Sequence, residues 1–252
     1  MIGQLGTIIM GFADTLMIGH YGTDELAAAG FVNNIVGMAL IAGMGFSYGL
    51  TPVVGALFGK GDCHLIGGKL KNSLAANALV AGVLMAAMAT LFLCMDKVGL
   101  PQSLVPLMRP YLLVLTMSIL PQMMFNAFKQ FFDGIQETRL PMWVLLGGNV
   151  MNIAGNWVLI YGIGGFPRMG LLGAGVSTLL SRVAMWMVMA LVFRHVRKYR
   201  EFRASYDQAH VERTSLHELN SMGLPVMLQM GMESAAFSLS AFYIGWLGAT
   251  EL

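Results

Sequence analysis

The sequence predicts an all-α membrane protein, a polytopic bundle of spanning helices. Three observations carry that reading. Of 252 residues, 56% are hydrophobic and 11% charged, where an ordinary soluble domain carries about 25% charged residues. The apolar residues gather into seven stretches, each about twenty residues or longer, the length a helix needs to cross roughly 30 Å of hydrocarbon. The 31 glycines and 22 methionines fit the same setting. Small residues let helices approach closely in lipid, and methionine forms adaptable, polarisable walls or simple core filling.

Several function classes fall away at once. A net charge of +2 invites no nucleic-acid surface. Cys63 and Cys94 lie at opposite ends of one predicted helix, about 45 Å apart by helical rise, so they do not bridge each other, and neither has zinc-ligand spacing. An enzyme is not predicted: there is no His-Glu-x-x-His, no Gly-x-Ser-x-Gly and no P-loop, and all the histidines fall at segment ends or in loops. A retinal-type photoreceptor needs a Schiff-base lysine in its last helix, and the seventh stretch has none. The first stretch lacks the basic n-region and cleavage site of a signal peptide.

The elements follow in order. The first covers residues 1–20; it starts at residue 1 with no polar lead-in, the pattern expected where the natural N-terminus lies further upstream. The second runs over about 26–58, longer than a membrane requires, so it is expected to tilt or kink near Pro52. The third covers about 70–95 and ends at the break Asp96–Pro101. The fourth, about 104–132, is expected to kink at Pro121. The fifth, 141–161, opens on a proline suited to a first turn. The sixth is about 171–193. A polar, basic run at 194–221 reads as a solvated helix end and linker, and the seventh stretch starts near Leu224 and ends at Trp246 or Leu247.

Charge fixes a topology. If the long basic run is cytoplasmic, the loops on its side carry Lys60, Lys69, Lys71, Lys129, Arg139 and the linker's own basic residues, eleven in all, against Lys97 and Arg168 opposite. That is a positive-inside bias. It predicts cytoplasmic ends for the six-helix block at 1–193 and a cytoplasmic linker at 194–221. A weak repeat supports the division. Ile18-Gly19-His20-Tyr21-Gly22-Thr23-Asp24-Glu25-Leu26 matches Ile244-Gly245-Trp246-Leu247-Gly248-Ala249-Thr250-Glu251-Leu252 at Ile, both Gly, Glu and Leu without a gap. Residues 222–252 would then open a second, parallel six-helix repeat.

The polar residues inside the stretches are the candidate functional groups. Asp14 lies within the first; a carboxylate at such depth faces a bundle interior or a watery cavity and marks a functional site by default. Its alternative is pairing with a buried cation. Asn149, Asn152 and Asn156 stand at i, i+3, i+7, one face of the fifth helix. Their carbonyls suit a hard cation and their N–H groups suit a carboxylate, while interhelical hydrogen bonding is the alternative use. Glu233 lies well inside the seventh stretch, either as a second intramembrane acid or as a partner for Arg182. Arg182, deep in the sixth, reads as structural, by snorkelling or pairing. Gln122 and Asn126 beside Pro121 read as groups that satisfy backbone freed by the kink.

Four runs carry a family resemblance: Met10-Gly11-Phe12-Ala13-Asp14-Thr15-Leu16-Met17-Ile18-Gly19, Thr51–Asp62, Asn149–Gly162 and Gly170–Thr178. Together they resemble the MATE (multidrug and toxic compound extrusion) transporters, in the right order over essentially the whole chain. The resemblance implies twelve helices in two lobes, of which this chain would be the N-terminal lobe plus helix seven. It implies a secondary antiporter, multi-pass in the cell membrane and expected to be monomeric when full length. Such a protein exports cationic, lipophilic drugs against Na⁺ or H⁺ and has no cofactor beyond that coupling ion. Asp14 matches the family's first-helix carboxylate, central to the N-lobe cation site. Asn152 and Asn156 match the fifth-helix polar pair; Asp14 and Asn156 would be Na⁺ ligands, although some members carry Asp at the position of Asn156. Thr178 would line the same cavity, and Glu233 matches a seventh-helix acid of one bacterial branch. The alternative within the superfamily is a lipid-linked oligosaccharide flippase. Such proteins line the cavity with cations, where here only Arg182 is deep.

Overall fold

The computed structural model describes residues 2–97 and 103–247. The predicted break from Val98 to Pro101 and the second copy of the repeat motif from Gly248 onward lie outside the described residues. Among the described residues the fold is helical and has no strand. The helices are α1 (Ile2–Tyr21), α2 (Thr23–Ser47), α3 (Leu50–Lys60), α4 (Cys63–Cys94), α5 (Val105–Met117), α6 (Ile119–Gly134), α7 (Arg139–Tyr161), α8 (Leu171–His195), α9 (Arg200–Gln208) and α10 (Arg213–Leu247). Five stretches, Thr23–Lys60, Cys63–Cys94, Val105–Gly134, Arg139–Tyr161 and Leu171–His195, are long and apolar enough to cross a membrane. The all-α membrane bundle is therefore the observed fold class.

Two spans are broken, each just upstream of a proline. The second span is interrupted at Tyr48–Gly49, near Pro52 as expected, and the fourth at Ser118 rather than at Pro121 itself. The cause is the same in both. A proline lacks an N–H and crowds the carbonyl four residues back, which here belongs to Tyr48 or Met117. Each proline then sits in the first turn of the following helix, where its missing N–H costs little. Gln122 and Asn126 do not repair the backbone at the fourth-span break. Gln122 Nε2 donates to Asn126 Oδ1 at 3.2 Å, and the Ser118 hydroxyl instead donates to Leu115 O at 2.7 Å.

The run after α8 is mostly exposed, and a few buried side chains dock it on the bundle. Tyr199, Phe202 and Leu219 are buried. Phe131 stacks edge-on against Phe132, Phe193 and Phe202, at 5.1, 5.5 and 5.8 Å between centroids. Gly67 of α4 lets the Phe202 backbone approach so closely that a Cβ would overlap its carbonyl. The polar groups finish the docking. Lys71 Nζ donates to Ala209 O at 2.7 Å, the Glu212 N–H donates to Asn72 Oδ1 at 2.8 Å, and Lys69 pairs with Glu218 at 2.5 Å. Lys198 pairs with Glu137, whose hydrogen bond holds the exposed ammonium above its ordinary range. These contacts gather the basic loops on one face. Arg109 pairs with Asp96 at 2.5 Å. α10 runs unbroken from the linker through Pro225 into the seventh stretch.

Candidate functional site

Close packing of α7 on α8 is what brings the polar side chains together. A Cβ at Gly155 would lie 2.5 Å from Ser177 Oγ, and one at Gly173 would lie 2.8 Å from Leu159 backbone. Small residues therefore let the two backbones meet, as in lipid-embedded helix pairs. Ser177 Oγ donates to Asn152 O at 2.8 Å. Asn152 and Asn156 are both fully buried, and Thr178 is nearly so.

Asp14 reaches this seam from α1. Asn156 Nδ2 donates to Asp14 Oδ1 at 2.5 Å. The Asn152 amide satisfies both its neighbours when its Nδ2 donates to Asp14 Oδ1 at 3.0 Å and its Oδ1 accepts from the Thr178 hydroxyl at 3.1 Å. Two amide donors thus converge on one carboxylate oxygen. Asn156 Oδ1 is buried with no hydrogen-bond partner, as are Asn149 Nδ2 and Ser181 Oγ nearby on the same two helices. Orphaned buried polar atoms are rare, and each points to a water, an ion or a second state. Beside a carboxylate, an unpartnered amide oxygen is a ready hard-cation ligand.

Of the sequence-predicted residues, Asp14, Asn152, Asn156 and Thr178 form one cluster. Glu233 is not in it: it is exposed on α10, where it accepts from Gln229 Nε2 at 3.0 Å. Arg182 pairs with neither acid at ion-pair distance; its Nη1 donates to Ser118 Oγ at 2.5 Å. One buried polar pair was missed. Tyr111 of α5 is buried, donates to Asn33 Oδ1 of α2 at 2.8 Å, and packs against Gly175 of α8, where a Cβ would lie 3.0 Å from its ring. Its signal was a hydroxyl placed mid-bundle in an otherwise apolar run.

A helical bundle built to cross a bilayer, with an intramembrane carboxylate held by amides in its core, defines a polytopic membrane protein with a buried polar site. The family model MatE matches residues 1–158, and the chain belongs to that family. It is 28% identical over 253 residues to the probable multidrug resistance protein NorM of Geobacillus kaustophilus, covering 98% of this chain and 55% of that protein. It is 27% identical over 255 residues to the protein of the same name from Bradyrhizobium diazoefficiens, covering 100% and 54%. Among solved structures, the MATE transporter VcmN of Vibrio cholerae in its bent form superposes with a TM-score of 0.78 at 20% identity, covering 98% of this chain and 55% of that one. The chain spans about half the length of the relatives it matches. These relatives are named for transport and drug resistance, not for an enzymatic reaction.

Proposed function

We propose that this chain supplies the N-terminal lobe (1–193), the cytoplasmic linker (194–221) and the seventh helix of a secondary multidrug antiporter in the cell membrane. It would export cationic, lipophilic compounds in exchange for Na⁺ or H⁺. The observation that carries this reading is the pairing of a carboxylate with an orphaned ligand oxygen: Asp14 on its amide donors, with the buried, unpartnered Asn156 Oδ1 beside it. A cation or proton at Asp14 removes the negative charge that favours a cationic substrate in the same cavity. The ion drives exchange because it binds the two conformations unequally, which is the only way a ligand shifts such an equilibrium. Asn152, Asn156 and Thr178 orient the acid, and Glu233 would face the second lobe.

The test is ethidium efflux by the complete transporter under an imposed Na⁺ gradient, then under a pH gradient. One of the two is expected to drive efflux, and Asp14→Asn is expected to abolish that dependence. Efflux at the wild-type rate with the same ion dependence in Asp14→Asn would sink the assignment.

A further inference from the structure

Arg182 is the one basic side chain placed deep in a spanning stretch, and its setting is unusual. Among the described residues no carboxylate lies within ion-pair distance of its guanidinium. It nevertheless sits in the field of Asp14 and Tyr111. The geometry explains both facts. Thr178 and Arg182 are i, i+4 on α8, one turn apart, or about 6 Å along the axis. Thr178 bonds Asn152, which bonds Asp14, so the guanidinium flanks the acid site. Its hydrogen bond, however, goes the other way, to Ser118 at the α5–α6 break. Ser118 is fully buried, and its hydroxyl is fixed by donation to Leu115 O at 2.7 Å. The break therefore presents an acceptor that steers the guanidinium off the carboxylate.

We infer that Arg182 is a built-in counter-cation of the Asp14 site, held away from the acid by Ser118, and that it sets how weakly the transported cation is bound. The inference rests on the reading of Asp14 as the cation site. An ionised Asp14 and Arg182 sum to zero charge. A cation at Asp14 leaves the pair at +1, with two like charges facing each other across a poorly solvated core. At an effective dielectric near 20, such repulsion lowers affinity by about tenfold at separations on the order of 10 Å. Weak binding of this kind favours release, which an exchanger needs on every cycle.

The test measures the concentration of the driving cation, identified by the gradient experiment, that gives half-maximal ethidium efflux from the complete transporter. Arg182→Met is expected to lower it by about tenfold, because the repulsion is gone. Arg182→Lys keeps the charge and is expected to stay near wild type. Ser118→Ala removes the acceptor, frees the guanidinium to approach Asp14, and is expected to raise the half-saturating concentration severalfold. Opposite signs for Arg182→Met and Ser118→Ala are the signature; a purely structural role would move both the same way. Shifts of one sign, or less than twofold in both, overturn the role of Arg182. Should Arg182→Met not fold, Ser118→Ala against Arg182→Lys still decides the matter, since the inference requires a rise in the first alone. Unchanged cation dependence in Asp14→Asn would instead overturn the reading of Asp14, a separate and recognisable result.

Discussion

Two spanning helices are broken by one device and closed by two different ones. Pro52 follows Gly49 by three residues, and Pro121 follows Ser118 by three. At the first break the closure is steric. A Cβ on Gly49 would lie 2.9 Å from Gly223 N, and one on Gly223 would lie 2.6 Å from Phe46 O, so α10 lies directly on the broken backbone. At the second break the closure is polar: Ser118 bonds Leu115 O and accepts from Arg182. The lower halves of the two spans then pack on each other. Thr51 Oγ1 donates to Gln130 Oε1 at 2.8 Å, and a Cβ on Gly134 would lie 2.7 Å from Val54 Cγ1. The contrast assigns each break a neighbourhood. The glycine break sits against α10, and the serine break sits against Arg182 of α8.

The largest expected effect tests whether the two lower halves share one anchor. Phe131 of α6 is fully buried among Phe132, Phe193 and Phe202. Phe131→Ala is expected to cost about 3–5 kcal/mol, the usual range for emptying an aromatic core position. It is read as the unfolding midpoint in detergent, together with loosening of α9. A cost below about 1 kcal/mol would mean that the aromatic cluster does not hold α3, α6 and the linker as one body.

A smaller effect separates the breaks. Gly223→Leu places a side chain where the Phe46 backbone lies. It is expected to cost about 1–3 kcal/mol by overpacking and to undock α10 from α2. Crosslinking between Ala42 of α2 and Gly231 of α10, each changed to Cys, reports that undocking; a Cβ built on Gly231 lies 3.5 Å from Ala42 Cβ, within reach of a disulfide. The cation affinity proposed for the Asp14 site on α1, α7 and α8 is expected to be unchanged. Loss of cation affinity together with the crosslink would show that the two neighbourhoods are coupled.

Much of this organisation is legible in the sequence, and the rest is hidden for physical reasons. Apolar length alone gives the spans, and the i, i+3, i+7 spacing of Asn149, Asn152 and Asn156 predicts a buried face. The breaks are displaced because a proline disturbs the carbonyl four residues upstream, not its own position. The docked linker is masked by its basic residues, although Tyr199, Phe202 and Tyr206 recur at i, i+3, i+7. The partner of Arg182 is a hydroxyl on another helix, exposed to it by a helix break. No local pattern announces such a meeting, and the bond between Tyr111 and Asn33 escapes for the same reason.

The smallest expected effect sharpens the contrast most. Proline to alanine restores an N–H and allows a continuous helix, and at a tolerant position it changes stability by under about 1 kcal/mol. In Pro52→Ala, the tight glycine contacts oppose straightening, and the nearest side-chain hydrogen bond, from Thr51 to Gln130, lies below the break rather than at Tyr48 or Gly49. Tyr48 O already accepts from Thr51 N at 3.3 Å, so a small rotation completes the ladder. Amide exchange over 49–52 is expected to slow by about tenfold as each new bond forms. In Pro121→Ala, the Ser118 hydroxyl remains committed to Leu115 O and to Arg182, so exchange over 118–121 is expected to stay as in the parent. Adding Ser118→Ala to Pro121→Ala removes that commitment and is expected to bring the same slowing as Pro52→Ala. Equal slowing in the two single variants would show that proline alone makes both breaks, and that Arg182 follows the fourth-span break rather than holding it.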